Sequence, residues 1–227
     1  MRTTPTSRVP SLAFALALAK RMRVRDQCNT TELPARVCCV VDPEVNLPTT
    51  RNKIEAYLGG VQHDTSLMWS HITTVGNASA GNVATQVAHH LPTCAVYLFC
   101  GHGHGATYLN SALESKSIMS ALLLMGCSSG ALSDEGNFEP RGIPVELLAR
   151  GAPTVISMLW DITDRDIDRL TLSLLEHIAK RTTDPLPDLL NAARAKTKLR
   201  RLNGAAPVCY GLPVSLADII HARRYAQ

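Results

Sequence analysis

Two short stretches hold residue types that do covalent chemistry. "LFCGHGHGATYL" (98–109) breaks an apolar run with His102 and His104 set among glycines, and "LLLMGCSSGAL" (122–132) ends one at Cys127 with small residues after it. Cys127 follows His102 by 25 residues, a spacing that suits adjacent parallel strands joined by a crossover. A thiol is a good nucleophile only as the thiolate, so it gains from an imidazole that takes its proton. The same imidazole can protonate a leaving amine. The glycines beside His102 let the backbone turn sharply and approach a ligand closely. Free N–H groups of Gly103 and Cys127 would then form an oxyanion hole.

Each feature has a plainer reading. A cysteine ending a buried strand packs as a small hydrophobe, and a histidine in a glycine-rich loop is a turn residue. Together, at adjacent strand ends, they favour catalysis. A zinc site from His102, His104 and Cys127 lacks an obvious further ligand. "GHGHG" has neither GxGxxG spacing nor a Walker lysine, so no metal and no cofactor is expected.

"WDITDRDIDR" (160–169) places Asp161, Asp164, Asp166 and Asp168 close together. One reading is a helix N-terminus, where acids offset the dipole and Thr163 or Asp164 caps. The other is an acidic pocket for a cationic side chain, with Asp161 and Asp168 as its candidates. Arg194, Lys198 and Arg201 fall on one face of an expected helix, either a solvated face or a basic docking surface.

Four continuous apolar runs read as strands buried on both faces: 36–41, 94–100, 121–127 and 153–159. Continuous rather than alternating hydrophobicity is what helix-covered parallel strands need. Helical patterns fall at 50–60, 79–91, 143–151, 164–180 and 186–202. The alternation implies an α/β fold with a mostly parallel sheet. In such folds the site lies outside the carboxyl ends of the strands, so "GHGHG", "CSSG" and "WDITDRD" are expected to converge there.

The 227 residues suffice for one domain with a substantial core. A net charge of +4 is too mild to argue for nucleic acid. Seven cysteines, an odd count without CxxC spacing, suit a reduced, intracellular setting better than a disulfide framework. "SLAFALALA" (11–19) resembles a signal-peptide core, but the "KRMRVR" that follows suits an amphipathic helix or a basic linker better. No run approaches the ~20 apolar residues a membrane span needs, and no membrane partner is expected. Residues 1–35 read as an N-terminal extension, helical or disordered, ahead of a domain over 36–227.

The motifs "VVDPEVNLPTT" (40–50), "CGHGHG" (100–105), "LLLMGCSSGAL", "LWDITDRDIDR" (159–169) and "NGAAPVCYGLPVSL" (203–216), in this order, resemble the protease domain of the separases. The resemblance implies a caspase-like three-layer α/β/α sandwich with a mostly parallel central sheet. It implies His102 as general base and acid and Cys127 as nucleophile of a cysteine endopeptidase. Cleavage would follow Arg in a Glu-x-x-Arg context, with the kleisin subunit of cohesin as substrate at anaphase. Asp168 ahead of Asp161 would bind the Arg, and a securin-like inhibitory chaperone would occupy the cleft. A nuclear and cytoplasmic location follows from the same likeness. Separases carry a long helical-repeat region ahead of this domain, so the chain reads as a fragment, a partial gene product or an isolated paralogue. His104 stands where a small residue is expected. Two other readings remain: a peptide-binding module without catalysis, and a Cys/His hydrolase of a non-peptide substrate.

Overall fold

The computed structural model describes residues 4–22, 35–61, 67–73, 79–113, 118–137, 140–180 and 183–224. Cys28 lies outside these residues.

Among the described residues six strands, β1 (Ala35–Val41), β2 (Leu67–Thr73), β3 (Cys94–Cys100), β4 (Ala121–Met125), β5 (Thr154–Met158) and β6 (Pro207–Gly211), form one sheet. Their spatial order is β2-β1-β3-β4-β5-β6. The first five are parallel, and β6 runs antiparallel to β5. Among the described residues the α-helices are α1 (Leu12–Met22), α2 (Pro48–Val61), α3 (Ala80–His90), α4 (Ala106–Leu113), α5 (Ile143–Ala149), α6 (Asp164–Ala179), α7 (Leu186–Arg194) and α8 (Leu216–Arg224).

The apolar strands serve two cores at once. Val37, Cys39, Leu98, Leu123 and Ile156 pack under α2, α6, α7 and α8. Cys38, Tyr97, Phe99, Leu122 and Val155 pack under α1, α3, α4 and α5. Successive side chains of a strand point to opposite faces, so a sheet covered on both sides needs no polar position. This is the expected three-layer sandwich.

Four expectations change in detail. β4 stops at Met125, leaving Gly126 and Cys127 on the loop beyond it. Strands β2 and β6 and helices α4 and α8 are additional. Residues 8–22 are built onto the domain rather than trailing from it. Arg8 bridges to the outer edge of β6, its N–H donating to Cys209 O at 2.9 Å and its carbonyl accepting from Gly211 N at 2.7 Å. Leu18 of α1 is buried in the core. This addition covers a sheet edge that would otherwise present unpaired backbone groups.

Finally, α7 ends at Arg194 rather than at 202, and the chain continues as turns. Arg194 turns inward, donating to Pro207 O at 2.6 Å, while Lys198 and Arg201 are exposed. The three cations therefore do not share a helix face.

Asp166 holds these turns. Its buried carboxylate accepts from Lys198 N at 2.8 Å, Asn203 Nδ2 at 2.7 Å and Arg169 Nη1 at 2.6 Å. Burial pushes its pKa up, but these donors outweigh burial and hold it near 2. A carboxyl depressed in the fold contributes stability that is present above its unfolded pKa and lost as pH falls toward the folded value. Asp166→Asn is expected to lower stability at pH 6 by roughly 2 kcal/mol and to flatten the loss between pH 4 and pH 2. Urea unfolding at a series of pH values checks both.

Candidate active site

The loops after β1, β3, β4 and β5 meet at the carboxyl edge of the sheet, as the parallel topology requires. The β1 loop is organised by Asp42. Its N–H donates to Cys100 O at 2.7 Å, and its Oδ1 accepts the N–H groups of Asn46 and Leu47, each at 2.9 Å. Arg51 completes this cap with an ion pair to Asp42 Oδ2 at 3.1 Å. The sequence singles out the motif but not the role of Asp42. An aspartate straight after a buried strand and ahead of Pro43 was the available signal.

The β3 and β4 loops, which carry His102 and Cys127, approach closely at the backbone. A Cβ built on Gly126 would stand 1.9 Å from Gly103 O and 2.7 Å from Gly101 O. The turn around His102 therefore sits against the residue that precedes Cys127. Gly103 itself adopts φ +62°, in the region that favours glycine. His102 is exposed, with no side-chain hydrogen bond among the described residues. The N–H groups of Gly103 and Cys127 likewise donate to no acceptor among the described residues.

Cys127 is half-buried, and its Sγ lies 3.5 Å from Ile162 O in the β5 loop. The residues after it are firmly anchored. Ser128 takes φ +53° and donates to Asp161 Oδ1 at 2.5 Å. The Ser129 hydroxyl donates to Leu124 O at 2.7 Å and accepts from Met158 N at 3.0 Å. Tyr210 OH donates to Gly130 O at 2.8 Å. Three small residues after a nucleophile candidate are thus stitched to the neighbouring β5 and β6 and to the loop after β5.

Burial pushes the Cys127 thiol up, and the negative charges of Asp161 and Asp164 add to the shift. The resting group is a neutral thiol near neutral pH, so a base must take its proton before attack. Because these acids disfavour the thiolate, Asp161→Asn is expected to speed alkylation of Cys127 by iodoacetamide at pH 7 and move the rate–pH curve to lower pH. An unchanged curve would remove Asp161 from the electrostatics of the thiol.

The two pocket candidates differ. Asp161 is exposed and held by Ser128. Asp168 is 2% exposed and bound by α2, with Thr50 Oγ1 at 2.8 Å and Lys53 Nζ at 2.6 Å. Its charge also reaches Cys100 at the end of β3, where burial first and Asp168 next push the thiol up. Asp164 is an exposed first-turn acid, and Thr163 occupies the N-cap position without a side-chain cap bond. Sequence reading did not find Lys53. Its signal was indirect: Asp168 lies one turn before Thr171 and two before Leu175, both buried, so its carboxylate needs a partner from a facing helix. His104 does not join His102 and Cys127 in a ligand set; among the described residues no cluster of three His, Cys, Asp or Glu could hold a metal. Its Nδ1 accepts from Ala106 N at 3.2 Å.

The fold and these loops define a caspase-like α/β sandwich with a cysteine loop and a histidine loop in contact at the carboxyl edge of its sheet. A family model, "Separin, protease domain", matches residues 1–167. Mouse separin is 33% identical over 220 residues, covering 95% of this chain and 10% of that protein. The Schizosaccharomyces pombe separin is 42% identical over 125 residues, 52% of this chain and 7% of that protein. The crystal structure of the Saccharomyces cerevisiae separase-securin complex superposes with a TM-score of 0.76 at 26% identity, over 94% of this chain and 14% of that one. The chain therefore belongs to the separin protease-domain family. It spans about a tenth of the length of the mouse relative.

Proposed function

We propose that this domain is a cysteine endopeptidase that cuts after Arg in a Glu-x-x-Arg context. The observation that carries the reading is the backbone contact between the His102 turn and Gly126, which sets an imidazole loop against a thiol loop. In this reading His102 takes the Cys127 proton, and the thiolate attacks the carbonyl carbon after Arg. The negative charge that develops on the carbonyl oxygen is met by the Gly103 and Cys127 N–H groups. His102 then gives the proton to the departing amine, leaving a thioester. Water, deprotonated by the same imidazole, splits the thioester and restores the thiol.

Asp168 holds the substrate Arg in this scheme. A guanidinium pairs with a carboxylate through two parallel bonds, where the Lys53 ammonium offers a point charge. The incoming Arg thus exchanges with Lys53, whose stem is partly exposed.

Family membership supports the kleisin subunit of cohesin as substrate, nuclear and cytoplasmic action, and a securin-like inhibitor; one solved relative is a separase-securin complex. Hydrolysis of a fluorogenic Glu-x-x-Arg peptide by the purified chain, with Asp168→Asn beside it, tests the reading. Expected are turnover by the unmodified protein and a loss of roughly 10²-fold in kcat/KM in the variant, as for a buried charge pair broken on one side. Equal turnover of both would remove Asp168 from the pocket. Peptide binding without turnover would favour the peptide-binding module over the enzyme.

A further inference from the structure

A second feature of the catalytic edge takes no part in the chemistry above. A cleft of about 750 Å³ opens beside Ser128, the residue after Cys127. That volume lies within the range of ligand-holding sites. Its walls are largely apolar, formed by Leu132, Ile143, Val145 and Ala149, with Arg141 among its polar members.

Its placement relative to Asp168 matters. Asp168 pairs with α2 from its position on α6, and both helices cover one face of the sheet. The cleft is walled by α5, and Ile143 packs on the core of the opposite face. Cys127 stands on the loop between them. A polypeptide with its Arg at Asp168 that runs on past Cys127 toward Ser128 carries its following residues over the cleft.

The walls are also pre-formed. Ser128 and Ser129 are fixed by their bonds to Asp161, Leu124 O and Met158 N. Leu147 and Leu148 anchor α5 in the core. Ser133 and Arg141 exchange backbone bonds at 2.7 and 3.2 Å, closing the third side. A rigid apolar cleft gains binding energy without an ordering cost, whereas Leu132 in the unbound chain stays 37% exposed to water.

We propose that this cleft is a specificity subsite for an apolar side chain in the two residues that follow the scissile bond. The inference rests on the protease reading with Asp168 as the Arg site, which sets the direction of the bound chain. Leucine, isoleucine or methionine suits the largely apolar lining.

The test compares Glu-Ala-Ala-Arg-Leu-Leu with Glu-Ala-Ala-Arg-Ala-Ala as otherwise identical substrates. The leucine peptide is expected to have a kcat/KM about tenfold higher, the usual worth of a buried aliphatic side chain in a pocket. Ala149→Trp fills the cleft from an exposed helix position and is expected to erase that preference, bringing the leucine peptide to the rate of the alanine peptide in the same variant. Equal rates in the unmodified protein, or a preference that survives Ala149→Trp, would overturn the proposal.

A second measurement does not need turnover. N-acetyl-leucine amide is titrated while the methyl resonances of Ile143, Val145 and Ala149 are followed. Saturable shifts that vanish in Ala149→Trp are expected. No shifts, or shifts that persist in the variant, sink the subsite. Saturable shifts in a protein that cuts no Arg peptide would sink the protease reading while keeping the cleft as an apolar-residue site.

Discussion

Cys127→Ala is expected to abolish peptide cleavage, lowering kcat/KM by roughly 10³-fold or more, with the fold intact. The size of the effect comes from the chemistry: alanine cannot form the thioester, and nothing else on the β4 loop can replace a thiol. The modest structural cost comes from the surroundings. Cys127 is half-buried, and its one polar contact among the described residues, to Ile162 O, is long at 3.5 Å, so losing it costs less than about 1 kcal/mol. A melting temperature within a few degrees of the parent, beside lost turnover, is the expected pair of results. His102→Ala should lose a comparable factor. The double variant should be no worse than either single one, because groups that act as a unit are not additive. Retained cleavage in Cys127→Ala would remove the nucleophile from this loop altogether.

The second large effect is expected at a residue with no functional group. Gly126→Ala would set a Cβ 1.9 Å from Gly103 O and 2.7 Å from Gly101 O. Both obstacles are backbone, so no side chain can swing aside. Either the end of β4 or the turn around His102 has to move by an ångström or more. Overpacking of this kind costs on the order of 3 kcal/mol. In a chain of this size that lowers the melting temperature by about 10 °C. Activity should fall further than stability, since misplacing a catalytic group by about 1 Å costs roughly 10²-fold. Gly59→Ala is the control. Gly59 lies inside α2 with open space around its missing Cβ, so alanine there should raise stability by about 1 kcal/mol, the helix-propensity difference. If Gly126→Ala melts and cuts like the parent, the two loops are not in the contact described here.

Asp161 and Asp168 show how far residue type alone carries an argument. Both are acids in one motif, and spacing does not separate them. Tertiary packing does: one is exposed and tied to Ser128, the other buried against Thr50 and Lys53 from a helix more than 100 residues earlier. Asp166, read as one more first-turn acid, turns out to anchor the turns after α7. Those turns replaced the expected end of a helix because a buried carboxylate claims the N–H groups of Lys198 and, at 3.5 Å, Leu199. A periodic pattern cannot report that competition.

The elements that were legible are those whose signal is local. The buried strands β1, β3, β4 and β5 are continuous apolar runs because both their faces are covered. The helices α2, α3, α5 and α6 carry amphipathic spacing or end signals. The edge strand β6 was missed because it is short, begins at Pro207 and ends at Gly211, and takes its identity from its pairing with β5. The short α4 follows directly on the "GHGHG" turn and is hidden by its glycines.

The sequence by itself determined the α/β class, the mostly parallel character of the sheet, and the delivery of His102 and Cys127 to one sheet edge. Burial periodicity and crossover connections leave little choice once strands and helices alternate. Only the tertiary structure decided that Gly126 lies under the His102 turn, that Lys53 is the cation at Asp168, that the N-terminal segment closes the edge at β6, and that an apolar cleft flanks Ser128. These are contacts between parts of the chain far apart in sequence. They depend on how helices settle on a sheet, which no local pattern of residues records.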